Sequence, residues 1–498
     1  MTPGNPKYRF LYAVWGFLEC LGFGGLIYGW GSLVYILKDE GLYLDLCPLI
    51  YQNDTASFNS TGVSNVTSIV YQVNQTLEMS DIGLLAKRDP ECSDRNKRLA
   101  LAFTVAMAMF CVGCFILGQV NFKFGIRVTR LAAAVVFIVG ALAMAFLSND
   151  TPFLLFPGLS MLGAGGIAYL VTNMQLSMLF PKGGSAVVGL MCGGFDASSG
   201  VQLLIKIGYE NGISRQTSYI ILACTHLLTL ISTFFFLPKG FFKKPPAHGP
   251  DEVAGDTDVA VKLTSKTKGA DDEEREENKP SLRKCMLSPV YILHVVWLSI
   301  LQLRFYFFLG SLNVTLETIL TSNSKVSHYT NVFMYILMCG LFTSPFAGVV
   351  CDFFSRLFAT SESLTRRQLM PLVFPLALTT TLCIVMSGLI LSEDPTTLYA
   401  VFVFLLFFRS FMYTLAAGLI GAVFPGEFFG IMYGILIITG GIISMFQYAL
   451  FDWAEATEFM QVNLFLTIFM VITYVHPVYL WFTCRRAETS ESFTVRKQ

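Results

Sequence analysis

Residues 194–200 read GFDASSG, an acid and two serines within a stretch from Ser185 to Ile207 that is otherwise nearly apolar. A carboxylate at the centre of a membrane-length segment costs at least about 2–3 kcal/mol unless it is paired or hydrated, so such a residue marks function by default. Glu19, Arg304 and Arg409 lie in apolar stretches of their own, and Lys206 shares the stretch that holds Asp196. Around Asp196 the residues three and four away are Cys192, Gly193, Ser199 and Gly200. On a helix they make one small, polar face suited to protein or water and not to lipid. Asp196 then either touches a ligand, carries a coupling proton, or locks the helices together by pairing with Arg304 or Lys206. Glu19 precedes Gly22, Gly24, Gly25, Gly29 and Gly31. A helix this rich in glycine packs closely or bends, which leaves Glu19 as a ligand contact or an interhelical hydrogen-bond partner. Arg409 stays charged in any plausible surroundings. It needs a substrate carboxylate, an acid on another helix, or backbone carbonyls, so an ion pair that gates or braces competes with direct substrate contact. Gln302, Tyr306, Leu309 and Asn313 recur at helical spacing as a hydrogen-bonding stripe, and Thr172, Asn173 and Gln175 cluster earlier in the chain. Each of these polar residues is read equally well as an ordinary contact between helices.

The elements that must position these groups follow from hydropathy. The 498-residue chain is 54% hydrophobic and 14% charged, against about a quarter charged in soluble proteins. A bilayer core takes about 20 apolar residues per helix. Twelve stretches reach that scale: 10–37, 99–121, 129–147, 152–180, 185–207, 217–237, 290–314, 328–351, 369–391, 397–424, 430–451 and 459–483. Barrel strands would be about half as long and alternate in polarity. The expectation is an all-α polytopic membrane protein with twelve transmembrane helices. Twelve crossings return both termini to one side, and the excess of Lys and Arg on that side makes it cytoplasmic. The first apolar run has no small-residue cleavage site after it and is long enough to span, as an uncleaved signal anchor would be. Zero net charge gives no sign of nucleic-acid binding.

The pattern divides the chain into a six-helix bundle at 1–237, a polar cytoplasmic linker at 238–289, a second bundle at 290–484 and a cytoplasmic tail at 485–498. The linker carries the acidic run Asp271 to Glu277 and cannot bury a core. The one long external loop, 38–98, holds sequons at Asn53, Asn59, Asn65 and Asn74, the pattern of a glycosylated lumenal segment. Of twelve cysteines only Cys47 and Cys92 fall in this loop, where an oxidising exterior favours a disulfide between them. The halves echo each other: Leu179-Phe180-Pro181 corresponds to Val423-Phe424-Pro425, and Gly118 to Lys123 corresponds to Gly348 to Phe353. Paired repeats of this kind place a mid-membrane site between moving halves. None of the five histidines has zinc-ligand spacing and no Walker lysine motif is present. No metal, cofactor or enzymatic activity is expected, and ATP-driven pumping is disfavoured.

The turn after the second span is similar to the loop signature of the major facilitator superfamily, Gly-X-X-X-Asp-Arg/Lys-X-Gly-Arg/Lys. Lys123, Gly125 and Arg127 supply its basic and glycine residues, Phe122 replaces the acid, and Asp352 keeps the acid in the second half. Five strings narrow the resemblance: Leu18-Glu19-Cys20-Leu21-Gly22-Phe23, Gly29-Trp30-Gly31-Ser32-Leu33, Phe195-Asp196-Ala197-Ser198-Ser199, His294 to Leu303, and Pro425 to Gly430. They resemble solute carrier family 43, which holds facilitative carriers of large neutral amino acids and an equilibrative nucleobase carrier. The Phe-Asp-X-Ser-Ser and Trp-Leu-Ser-X-X-Gln-Leu strings lean to the nucleobase branch, and Arg304 to the amino-acid branch.

That resemblance implies two pseudo-symmetric six-helix bundles with a central site reached alternately from each side. Amides suit the edges of a purine and aromatic rings its faces. The expected substrate contacts are Glu19, Asn173, Asp196, Gln302, Arg304, Tyr306 and Arg409, with an inner gate of Lys123, Arg127, Asp352 and Glu427. The expected activity is sodium-independent, uncoupled transport of purine nucleobases such as adenine, guanine and hypoxanthine across the plasma membrane. The alternative is uniport of large neutral amino acids; a non-transporting receptor or sensor is the rival from another class. Expected partners are a small-molecule substrate and the lipid bilayer, no nucleic acid, with a monomer as the default state.

Overall fold

The computed structural model describes residues 6–51, 86–88, 92–180, 184–237, 281–320, 322–361, 363–392, 394–425 and 428–495. The sequons at Asn53, Asn59, Asn65 and Asn74, most of the 238–289 segment, and Glu427 lie outside the described residues.

Among the described residues, ten helices are long and apolar enough to cross a bilayer: Ser93–Phe124, Ile126–Ala145, Pro152–Ser177, Val187–Glu210, Arg215–Phe236, Pro289–Ile319, Thr365–Leu389, Thr397–Val423, Phe429–Ala456 and Phe459–Arg486. Two more spans are bent pairs, Arg9–Phe23 with Leu26–Asp39 at 40° and Asn323–Met338 with Gly340–Leu357 at 43°. Each pair taken as one span gives the twelve expected, numbered first to twelfth below. The first bend falls at Gly24-Gly25 and the second at Cys339-Gly340, with Pro345 one turn further on. Serine caps mark two entries: Ser214 accepts from the Thr217 amide and Ser288 from that of Tyr291, where Pro289 opens the helix. An Ncap oxygen satisfies one of the amides a helix start leaves bare, and this matters most where no water is at hand.

Spans one to six pack with one another, as do seven to twelve. The two groups meet where the second span lies on the eleventh, the fifth on the eighth and the first on the seventh. Phe342, Phe346, Val349 and Phe353 form an exposed apolar edge of the eighth span, as a lipid-facing surface requires. The loop end, opposite the termini, is pinned by polar contacts. Cys47 and Cys92 are joined by a disulfide with Cα atoms 5.6 Å apart. Beside it β1 (Leu49–Tyr51) and β2 (Ala86–Arg88) form a short antiparallel ribbon. Buried Arg95 donates to the carbonyls of Leu42 and Lys38 at 2.8 and 2.6 Å, and Arg215 pairs with Glu40 at 2.7 Å. Asn313, a sequon residue by sequence, is interior: its amide donates to the Gly31 carbonyl at 3.0 Å.

Candidate substrate site

The break in the first span builds the centre of the molecule. Interrupting the helix at Gly24-Gly25 frees the Gly25 amide, which donates to Ser198 Oγ at 2.6 Å. A Cβ at Gly25 would lie 2.9 Å from both Ser198 Oγ and the Phe195 carbonyl, and one at Gly166 2.4 Å from the Phe23 carbonyl. Only glycine lets the first, fourth and fifth spans approach so closely. The unwound turn carries Tyr28 into the interface between the two helix groups.

There the central charges meet. Asp196 of the fifth span and Arg409 of the tenth form an ion pair, Oδ1 to Nη2, at 2.7 Å. Ser344 of the eighth span donates to the other carboxylate oxygen, and Ser410 and Thr343 extend the chain of hydroxyls. Of the alternatives the sequence leaves open for Asp196, pairing with Arg304 or Lys206 is therefore not the one formed. Helical spacing reports which face a residue occupies, not which distant helix that face meets. The Arg409 guanidinium lies 4.4 Å from the Tyr28 ring centroid and 5.8 Å from that of Phe305, a cation–π arrangement. Its Nε and Nη1 have no hydrogen-bond partner among the described residues. Beside it, Gln302 donates to Tyr306 Oη at 2.9 Å, Tyr306 and Tyr413 hydroxyls meet at 3.2 Å, and Tyr413 reaches Tyr28 at 3.4 Å. Gln302 Oε1 likewise has no hydrogen-bond partner among the described residues. The centre is thus an aromatic cluster holding one neutralised ion pair, spare donors on Arg409 and a spare acceptor on Gln302.

Glu19 and Asn173 lie elsewhere, in a saturated network inside the first helix group. Glu19 Oε1 pairs with Arg130 Nη2 at 2.6 Å and accepts from Trp15 at 3.0 Å and from Ser232; Asn173 donates to Oε2 at 3.0 Å. Arg130 also donates to Asn173 Oδ1, Ser232 and Thr233, and stacks 4.8 Å over Tyr169. With its donors so used, this network braces spans one, three, four and six. Arg304, fully buried, faces the ninth span, where Nε donates to Ser387 at 2.8 Å. It shares neither the Asp196 nor the Gln302 cluster. Arg127 donates to the carbonyls of Phe234 and Leu237 at 3.0 Å, satisfying the C-terminal end of the sixth span. Lys123 and Asp352 are exposed, with no ion pair among the described residues.

Arg130, Tyr28 and Tyr413 escaped the sequence reading. Arg130 stands at the entry of its span, where a cation is unremarkable, and single tyrosines carry no signal in a chain that is 14% aromatic.

Tyr413, Thr414, Ala417 and Gly418 form a partly exposed face of the tenth span, whereas Phe408, Met412, Leu415 and Leu419 opposite are buried. A lipid-facing surface carries large apolar groups, as the eighth span does; a face of small and hydroxylated residues suits water. Added Cβ atoms at Gly118, Gly348, Gly418 and Gly430 would meet nothing within 4 Å.

No family model matches the chain. It is 29% identical to the equilibrative nucleobase transporter 1 of Bos taurus, over 97% of this chain and 98% of that one. It is 25% identical to the large neutral amino acids transporter small subunit 3 of Homo sapiens, over 95% and 93%. Protein FMP42 of Saccharomyces cerevisiae matches at 23%, over 91% and 90%. The resemblance carried by the motifs therefore extends along nearly the whole chain, and the twelve-span helical architecture agrees with it. The chain is a membrane transporter, similar end to end to carriers named for nucleobases and for large neutral amino acids.

Proposed function

We propose that this chain is a facilitative, sodium-independent carrier of purine nucleobases, working by alternating access between bundles 1–237 and 290–484. The observation that carries this reading is the charge state of the centre. A zwitterionic amino acid needs a free cation for its carboxylate and a free anion for its ammonium group. Asp196 and Arg409 neutralise each other at 2.7 Å, and Glu19 is held by Arg130. A neutral planar base needs only ring faces and a few donors and acceptors. Tyr28, Phe305, Tyr306 and Tyr413 supply rings, Gln302 Oε1 an acceptor, and Arg409 Nε and Nη1 donors. Asp196, Gln302, Tyr306 and Arg409 are the proposed substrate contacts. Glu19 and Asn173 act through the helix packing they fix.

Placing both termini in the cytoplasm and the carrier in the plasma membrane makes the loop end external, and the contacts there make the described state closed outside. Lys123 and Asp352, which form no ion pair among the described residues, are proposed to meet other partners when the inner side closes. Arg304 supports the amino-acid alternative in one respect: Nη1 and Nη2 have no hydrogen-bond partner among the described residues. Competition decides between the two. Uptake of radiolabelled adenine is expected to be blocked by excess hypoxanthine and unaffected by leucine or by replacing sodium. Leucine uptake insensitive to purines would overturn the reading.

A further inference from the structure

Three lysines make contacts between the helix groups at the loop end. Lys38 of the first span pairs with Glu317 of the seventh at 2.5 Å, and Lys97 of the second with Asp452 of the eleventh at 2.7 Å. Both divide a charge pair between the two halves, so parting them separates opposite charges. The third contact is built differently. Lys206 of the fifth span, its side chain fully buried, donates to Ser327 Oγ at 2.7 Å, the Ser327 carbonyl at 3.1 Å and Asn331 Oδ1 at 2.8 Å, all on the eighth span. All three cross-interface acceptors are neutral. Its counter-charge, Glu210, stands one turn along the same span with Oε1 3.6 Å away, where it also accepts from Ser327 Oγ at 2.6 Å, and the Tyr35 ring of the first span lies 4.2 Å from Nζ. When the fifth and eighth spans part, Lys206 loses neutral partners but keeps its anion and its aromatic face. Tyr35 and Glu210 also line an open cleft of about 480 Å³ with Asp39, Tyr209 and Ser214. Water is therefore at hand to replace the lost hydrogen bonds.

We propose that Lys206 is the reversible outer latch of this carrier: its bonds to Ser327 and Asn331 break and re-form in each transport cycle, while Glu210 and Tyr35 hold its charge in both states. The latch rests on the reading of the loop end as external and of the carrier as alternating. It does not depend on which substrate is carried. Hydrogen bonds to a charged group are worth more than neutral ones, and a tenfold shift in a two-state equilibrium needs only about 1.4 kcal/mol.

The test needs no substrate. Ser32 is buried on the loop-end half of the first span, beside Gly31, whose carbonyl binds Asn313 of the seventh span. With Ser32→Cys as reporter, labelling by a membrane-impermeant thiol reagent on intact cells reads outward opening. Lys206→Met is expected to raise the labelling rate roughly tenfold at unchanged surface abundance. Asn331→Leu, which leaves the lysine and its anion in place, is expected to act in the same direction and covers the case in which the lysine variant fails to reach the surface. Glu210→Gln removes the anion and leaves all three Lys206 hydrogen bonds to the eighth span, while its amide oxygen can still accept from Ser327, so it is expected to leave labelling below that of Asn331→Leu. Wild-type labelling in both Lys206→Met and Asn331→Leu would overturn the latch. Raised labelling in a carrier that moves leucine and no purine would leave the latch standing and remove only the substrate assignment.

Discussion

Two buried acids in this chain have opposite fates because of what surrounds them. Glu19 is satisfied by Arg130, Asn173, Trp15 and Ser232 within one helix group, whereas Asp196 pairs across the interface with an Arg409 that keeps unused donors. Removing one member of a buried ion pair strands the other charge and costs about 3–5 kcal/mol. Glu19→Gln is therefore expected to lower the melting temperature and surface abundance, with an unchanged KM in the carriers that survive. Thermal melting and uptake normalised to surface protein separate these effects. Asp196→Asn should behave otherwise. The amide oxygen can still accept from Ser344 and Arg409, and Arg409 keeps its place against the Tyr28 and Phe305 rings, so surface abundance is expected to hold while flux falls by roughly tenfold, the cost of about 1.4 kcal/mol at the rate-limiting step. Normal flux in that variant would reduce Asp196 to a packing residue.

At the scale of elements, the spans were legible because a bilayer fixes their length, and apolar runs of that length have few other meanings. The bend in the first span was half-legible: five glycines between Gly22 and Gly31 announced a bend or close packing, but not that Gly25 would bond Ser198. The partner of Asp196 was not legible at all, since which distant helix faces it is decided by how the two groups dock. Gly25→Ala is expected to push the fifth span from the first, costing about 1–3 kcal/mol through overpacking, and to move Tyr28 off Arg409. Melting temperature and adenine uptake should fall together; wild-type values for both would show that the close approach is dispensable. The disulfide was legible from the isolation of Cys47 and Cys92 in one external segment. Cys47→Ser is expected to cost about 2–4 kcal/mol, seen as a lower melting temperature with little change in KM, because the bond lies at the loop end and away from the site.

Across the whole molecule, polar contacts between the halves gather at the loop end and at the centre. At the other end the basic and acidic signature residues Lys123 and Asp352 are exposed and form no ion pair among the described residues. This asymmetry suits one state of a two-state carrier, and the Asp196–Arg409 pair at the pivot joins the halves while bordering the proposed site. The most direct test replaces Arg409 by lysine. Lysine keeps the charge that pairs with Asp196 but loses the planar fork and its stacking on Tyr28. If Arg409 both bridges the halves and holds the base, Arg409→Lys will reach the surface at wild-type abundance with a KM for adenine raised about tenfold, the equivalent of about 1.4 kcal/mol of lost binding. A wild-type KM in that variant would contradict the account, because the pair would then be a brace and the substrate would bind elsewhere.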